Sequence, residues 1–255
     1  MRLHLFKLLP HAMLSSLTLF LAHPSFVLAK DITVAVAANF TEPAKEIALA
    51  FEAKTGTHVV MSFGPSGGFL SQIEQSAPYE VFLSADAERP SKLEADGFSV
   101  AGKRFTYALG TLVLWSRSPG FVDPKGDVLA KGQFSHLAIA DPASAPYGIA
   151  ALETLKSLGL YDKISAKIVK GTSIAQTYTF VDTGAAELGF IALSQIYRSH
   201  IGSFWYVPRS DYSPIVQQAV LLKTGASDLD AKAYFDFLQS PQAIRIIKSY
   251  GYEVR

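Results

Sequence analysis

Apolar and polar residues alternate along the chain with two distinct periods, and the two periods take turns. Residues 31–38 form an apolar run with the character of a buried strand. The next stretch, 43–53, carries Ala44, Ile47, Ala48 and Phe51 at the spacing of an amphipathic helix. A strand is then expected at 58–63, a helix at 69–76 with Phe69, Leu70 and Ile73 on one face, and a strand at 80–84. Strands separated by helices predict parallel βαβ units.

The same alternation restarts after residue 136. Residues 137–141 read as an apolar strand and 148–158 as a helix with Ile149, Leu152, Leu155 and Leu158 inward. A short strand is expected at 167–170, a helix at 174–183 stopped by Gly184, and a strand at 188–193. Two similar α/β units follow from this, each a mixed sheet flanked by helices. Two long apolar extended runs, 110–116 and 215–223, are placed as a two-strand hinge between them. Helices at 229–239 and 242–249 are expected to pack back on the first unit, and Phe204-Trp205-Tyr206 reads as a buried strand.

The amino terminus has a different logic. Arg2 and Lys7 precede an apolar stretch at 12–21 and the small-residue pattern Val27-Leu28-Ala29, which together read as a cleavable secretory signal over residues 1–29. That stretch is short of the ~20 apolar residues that cross a bilayer. An exported protein is expected, lodged in the periplasm, and the absence of a cysteine near the cleavage point argues against a lipid anchor. The chain has no cysteine at all, which excludes disulfides, thiolate metal sites and thiol chemistry. It carries 23 Lys+Arg against 22 Asp+Glu, and no basic field exists to hold nucleic acid. Of the six histidines, His58, His136 and His200 lie beyond the signal, each without the close spacing of a metal site. Each is read as a surface or structural residue.

Candidate chemistry lies at the strand-to-helix turns, because ligands of open α/β sheets bind beyond the carboxyl ends of the strands. Four turns share a character: Ala38-Asn39-Phe40-Thr41, Gly64-Pro65-Ser66-Gly67-Gly68, Ala145-Pro146-Tyr147-Gly148 and Gly171-Thr172-Ser173-Ile174. None contains Lys or Arg. Such turns leave helix N-terminal amides unpaired with the positive end of the helix dipole behind them, which is a cradle for an anion. The same residue types are also ordinary helix caps. What favours a ligand is that two turns come from each α/β unit, so that closing the units on one another brings all four together.

A competing pattern is Gly64-x-Ser66-x-Gly68, the nucleophile elbow of a secreted serine hydrolase. It requires an Asp and then a His, with Asp86 or Asp123 and His136 or His200 as candidates, none of them in a distinctive loop. Ser66 is better read as a cap that faces an anion with the amides of Gly67 and Gly68. The other carboxylates are scattered; Asp86 and Asp141 end strands and are read as braces of their loops.

Several ordered segments resemble the periplasmic molybdate-binding proteins of bacterial ABC transporters. They are Ile32-Thr33-Val34 with Ala37-Ala38-Asn39-Phe40-Thr41; Ser62-Phe63 with Ser66; Gln72-Ile73-Glu74 with Ala77-Pro78; and Val81-Phe82-Leu83-Ser84-Ala85-Asp86. Ala140-Asp141-Pro142 with Pro146-Tyr147-Gly148, then Glu187-Leu188-Gly189-Phe190-Ile191, continue the series. Tyr234 to Ala243 and Tyr250-Gly251-Tyr252 close it. The resemblance implies a two-lobe α/β fold of the type II periplasmic binding proteins, with residues 30–112 and 217–255 as lobe I and 113–216 as lobe II. It implies a binding protein and not an enzyme, a monomer without cofactor. Its ligand is molybdate or tungstate, passed to the membrane permease of an ABC importer. Another oxyanion such as sulfate is the alternative. Carried over by position, the ligand residues are Asn39, Ser66, Tyr147 and the amide of Ile174, with the amides of Ala38 and Gly67 as further donors; molybdenum is held only as its oxyanion. Many family members have Ser at the position of Asn39, Ala at that of Tyr147 and a ligand-contacting Tyr at that of Ala192. The Tyr147 hydroxyl is therefore expected to replace the one missing at Ala192.

Overall fold

The computed structural model describes residues 31–199 and 201–254. The secretion signal read at residues 1–29 and His200 lie outside them. Two five-stranded mixed sheets carry the chain. The first is built from β1 (Ile32–Ala37), β2 (Val59–Gly64), β3 (Val81–Leu83), β4 (Ser99–Gly110) and β10 (Ile215–Leu222), in the order β2-β1-β3-β10-β4. The second is built from β5 (Leu112–Ser116), β6 (Leu137–Ala140), β7 (Ile168–Gly171), β8 (Leu188–Ala192) and β9 (Ser203–Tyr206), in the order β7-β6-β8-β5-β9. In each, three parallel strands are followed by antiparallel ones: β10 and β4 in the first, β5 and β9 in the second.

Helices cover both sheets. α1 (Thr41–Thr55), α2 (Ser66–Glu74), α3 (Glu88–Ala95), α8 (Leu229–Phe237) and α9 (Pro241–Ser249) serve the first. α4 (Val128–Lys131), α5 (Pro146–Ser157), α6 (Tyr161–Ile164) and α7 (Ile174–Asp182) serve the second. The first core joins Ile47 and Phe51 of α1 to Val34, Leu83 and Leu221 of the sheet and to Tyr234, Phe235 and Ile247 of the closing helices. Phe51 packs edge-on against Tyr234 at 5.3 Å between ring centres, a geometry that aromatic quadrupoles favour. α1 ends at Gly56, whose φ of 77° supplies the left-handed cap.

The chain crosses between the sheets twice. The first crossing is the single residue Thr111 between β4 and β5, inside the expected hinge run 110–116. The second is made by 207–214. The run 215–223 was expected to cross, yet 215–222 lies within β10 because its buried alternate residues complete the first sheet. In α5 the buried face is Tyr147, Ala150, Ala151, Thr154 and Leu155, whereas Ile149 and Leu158 are exposed. The helix sits so close to the sheet that a Cβ on Gly148 would fall 2.2 Å from the carbonyl oxygen of Ala140. No side chain fits at that one position. Phe204-Trp205-Tyr206 is a strand as expected, but β9 is a sheet edge, and only Trp205 of the three is buried. Among the described residues no helix is long and apolar enough to cross a membrane.

Candidate functional site

The carboxyl ends of β1, β2 and β6 point into the gap between the two sheets, and the four turns singled out in the sequence meet there. Ala37, Ala38, Asn39, Gly64, Pro65, Ser66 and Ala85 on one side, and Ala145, Pro146, Tyr147 and Ile174 on the other, line one cavity. Its volume is about 10 Å³ to the centre of a water-sized sphere. No charged side chain lines it.

The local structure explains what each turn offers. Ser66 is the first residue of α2 and the cap position belongs to Pro65, so Ser66 is not the cap that its sequence context predicted. Its Oγ accepts from the backbone N–H of Ala85 at 3.0 Å. The hydroxyl proton remains for a ligand, as does the Ser66 amide, which at the first turn of a helix has no partner within it. Tyr147 follows Pro146 at the start of α5, and Ile174 opens α7 behind Ser173, whose Oγ accepts from the N–H of Gln176 at 3.3 Å. Their amides are in the same condition. Ala38 and Asn39 begin a 3₁₀ turn at the end of β1, closed by the Thr41 hydroxyl donating to the Ala38 carbonyl at 2.9 Å. Asn39, Ser66, Tyr147 and Ile174 are all buried.

One expected donor is engaged elsewhere and a second accepts a bond from the opposite half. The Gly67 amide donates to the carbonyl of Ser144 at 2.9 Å, across the gap. The Tyr147 hydroxyl accepts from Gln217 Nε2 at 3.2 Å. It lies where a Cβ on Gly110 would come within 2.3 Å of it, at the crossing between the sheets. Ala192 is fully buried at the end of β8 and does not line the cavity. Burial holds the Tyr147 phenol far above its ordinary value and keeps it neutral.

The hydrolase constellation is not formed among the described residues. Asp86 pairs with Arg89 and accepts the Arg89 amide at the start of α3. Asp123 is spent on the amides of Lys125, Asp127 and Val128. Asp141 braces its own loop through the Ala143 amide, and His58 pairs with Glu52 at 2.7 Å. No group of three His, Cys, Asp or Glu able to hold a metal cation occurs among the described residues. A larger hollow of about 460 Å³ lies under Leu193, Ile196, Tyr197, Phe204 and Tyr206. Arg198 also lines it, with its guanidinium donating to Glu46 and to Ser249 Oγ.

Residues 32–253 match the family model described as bacterial extracellular solute-binding protein. The chain belongs to that family. This solute-binding protein is 57% identical over 224 residues to the molybdate-binding protein ModA of Rhodobacter capsulatus, covering 88% of each chain. It is 55% identical over 227 residues to the molybdate-binding protein ModA of Azotobacter vinelandii, covering 88% of this chain and 90% of the relative. Its fold matches the solved periplasmic molybdate-binding protein of Azotobacter vinelandii with a TM-score of 0.85 at 44% identity, over 88% of this chain and 99% of that one. The two-sheet architecture is that of the solute-binding proteins, and the family is one of binding proteins, not hydrolases.

Four participants in the site escaped the sequence reading: Ala85, Ser144, Gln217 and Tyr252. Gln217 alone carried a signal, as a polar residue at a fully buried position of an apolar strand.

Proposed function

We propose that this chain binds molybdate, and tungstate with it, as the intact dianion between its two lobes outside the cytoplasm and delivers it to the membrane permease of an ABC importer. The observation that carries the reading is the small cavity in which uncharged donors from both halves meet with no charged side chain among its walls. The molybdate-binding relatives, similar over nearly the whole described chain, support the same ligand.

The donors assigned to the anion are the Ser66 hydroxyl and the backbone amides of Ala38, Asn39, Ser66, Tyr147 and Ile174. Hydrogen bonds to an ionised acceptor are about twice as strong as neutral ones, and the N-terminal ends of α2, α5 and α7 add their dipoles. A counter-charge is not needed. A wall of donors without an acceptor rejects protonated phosphate, whose O–H would be desolvated unpaired at a cost of about 1–3 kcal/mol. Sulfate has no proton, and is disfavoured because a smaller ion cannot reach donors on both walls at once. Molybdate and tungstate are nearly equal in size, so the same walls accept both. We assign lobe I to the first sheet with its helices and lobe II to the second, close to the expected divisions at 112/113 and 216/217, acting as a monomer after removal of residues 1–29 on export.

Calorimetric titration of the purified protein with molybdate, tungstate, sulfate and phosphate tests the assignment. Saturable heat with the first two is expected. Silence with both refutes it.

A further inference from the structure

A belt of buried polar side chains runs beside the cavity and passes repeatedly from one half of the protein to the other. Gln217 of β10 is its hub, fully buried. Its Oε1 accepts from Asn39 Nδ2 at 2.8 Å and from the Tyr107 hydroxyl at 3.0 Å, and its Nε2 donates across the gap to the Tyr147 hydroxyl at 3.2 Å. Asn39 Nδ2 also donates to the Tyr252 hydroxyl at 2.9 Å. Tyr252 in turn reaches Ser194 Oγ at 2.9 Å, and Ser194 Oγ donates back across the gap to the Asn39 carbonyl at 2.9 Å. Asn39, Tyr107, Gln217 and Tyr252 stand on the first half. Tyr147 and Ser194, just beyond β8, stand on the second.

The Tyr252 hydroxyl stands within donating distance of both the Asn39 carbonyl, at 2.8 Å, and Ser194 Oγ, at 2.9 Å. Both Asn39 Nδ2 protons are donated, one to Gln217 and one to Tyr252, and the Ser194 proton goes to the Asn39 carbonyl. The side chain and carbonyl of Asn39 are therefore fixed from three directions, leaving its backbone amide to the cavity. Tyr147, the corresponding residue of the opposite wall, is held by Gln217. One wall residue from each half is thus tied to the other through groups that do not line the cavity: neither Gln217, Tyr252 nor Ser194 is among its walls.

We propose that Gln217, Tyr252 and Ser194 are positioning residues that latch the two lobes shut and set Asn39 and Tyr147 at the spacing the anion needs, so that ligand residence time depends on groups that never touch the ligand. The proposal rests on the molybdate-binding reading above. Bonds formed only on closure slow opening, and opening is the step that releases the ligand. The latch therefore acts on the dissociation rate far more than on the association rate.

The test compares Ser194→Ala and Tyr252→Phe with the wild type by stopped-flow release of molybdate. Each lost bond is expected to raise the dissociation rate about 3- to 10-fold. Ser194→Thr keeps the hydroxyl and is expected to stay close to wild type, a rescue that a merely space-filling role for Ser194 would not produce. Ser194 is half-buried, so Ser194→Ala is expected to fold normally even if Tyr252→Phe does not. Unchanged dissociation rates in both variants overturn the proposal. Should the wild type itself bind no molybdate, the functional reading falls, and the latch is judged by X-ray scattering of the ligand-free protein. There, a larger radius of gyration in the Ser194→Ala, Tyr252→Phe double variant supports it and an unchanged radius overturns it.

Discussion

The backbone amide of Gly67 and the carbonyl oxygen of Ser144 lie 2.9 Å apart, joining the turn that opens α2 on the first half to the loop that leads into α5 on the second. This bond explains why residue 67 carries no side chain. A Cβ there would stand 3.0 Å from Ser144 Cα, 3.1 Å from its carbonyl oxygen and 3.3 Å from Arg89 Nη2. Two of those three neighbours are backbone, which cannot swing aside as a side chain can.

Gly67→Ala is therefore expected to wedge the halves apart while leaving each half intact. Alanine is the better helix former in the first turn of α2, so the unfolding midpoint without ligand should not fall. Molybdate affinity should drop about tenfold through loss of one interlobe hydrogen bond and imperfect closure. Calorimetry beside thermal unfolding separates the two effects, and an unaltered dissociation constant would show that closure tolerates the methyl group.

Ser66→Ala removes two interactions. Its Oγ is the acceptor for the Ala85 amide at 3.0 Å and, in our reading, a donor to the anion. Loss of a donor to a charged ligand costs about 1.5–3 kcal/mol, and the orphaned amide adds a cost of about 1–3 kcal/mol to the folded state itself. Titration with molybdate and urea unfolding of the ligand-free protein should both register the change. A stability loss with full affinity would leave Ser66 as a loop brace only.

Most of this architecture was legible from local pattern, because β1, α1, β6, α7 and β8 each carry an unbroken apolar period of their own. The failures have physical causes. α3 reads as Glu-Arg-Pro-Ser-Lys-Leu-Glu-Ala with only Pro90 and Leu93 buried, too few apolar positions to reveal a period. β4 runs twelve residues with Gly102 at φ 73° and Lys103 and Arg104 in its middle, and its pairing with β10 slips register twice. The four cavity turns were visible because glycine, serine and asparagine cluster where strands end. The engagement of the Tyr147 hydroxyl was not, since its partner Gln217 is 70 residues away and is brought there only by the second crossing.

The belt tyrosines also fix an alkaline limit. Burial pushes Tyr107 and Tyr147 well above the ordinary phenol value of 10.0 and Tyr252 up to about 12. Below about pH 10 these phenols are neutral in both folded and unfolded chains, so they leave stability flat. Above it the unfolded chain loses protons that the folded one keeps. The contribution is then lost progressively as pH rises from about 10 towards 12. Urea midpoints measured across that window should fall, and molybdate affinity between pH 7 and 9 should stay level because no cavity wall residue ionises there. A slope in affinity over that range would point to an ionisable donor in the cavity.

Tyr147→Phe separates two roles for one hydroxyl. If that hydroxyl bound the anion, its removal would change how the cavity discriminates between ions, because a directional donor would be missing from one wall. In the structure it accepts from Gln217, so its removal instead leaves the buried Gln217 Nε2 proton unpaired, at a cost of about 1–3 kcal/mol. Part of that cost falls on the closed form, because Gln217 and Tyr147 belong to different halves. Affinity for molybdate and tungstate should therefore weaken together, by a similar several-fold factor, with the ratio of their dissociation constants preserved. Parallel titrations of wild type and variant with both ions decide the matter: a changed ratio would return the hydroxyl to the cavity wall.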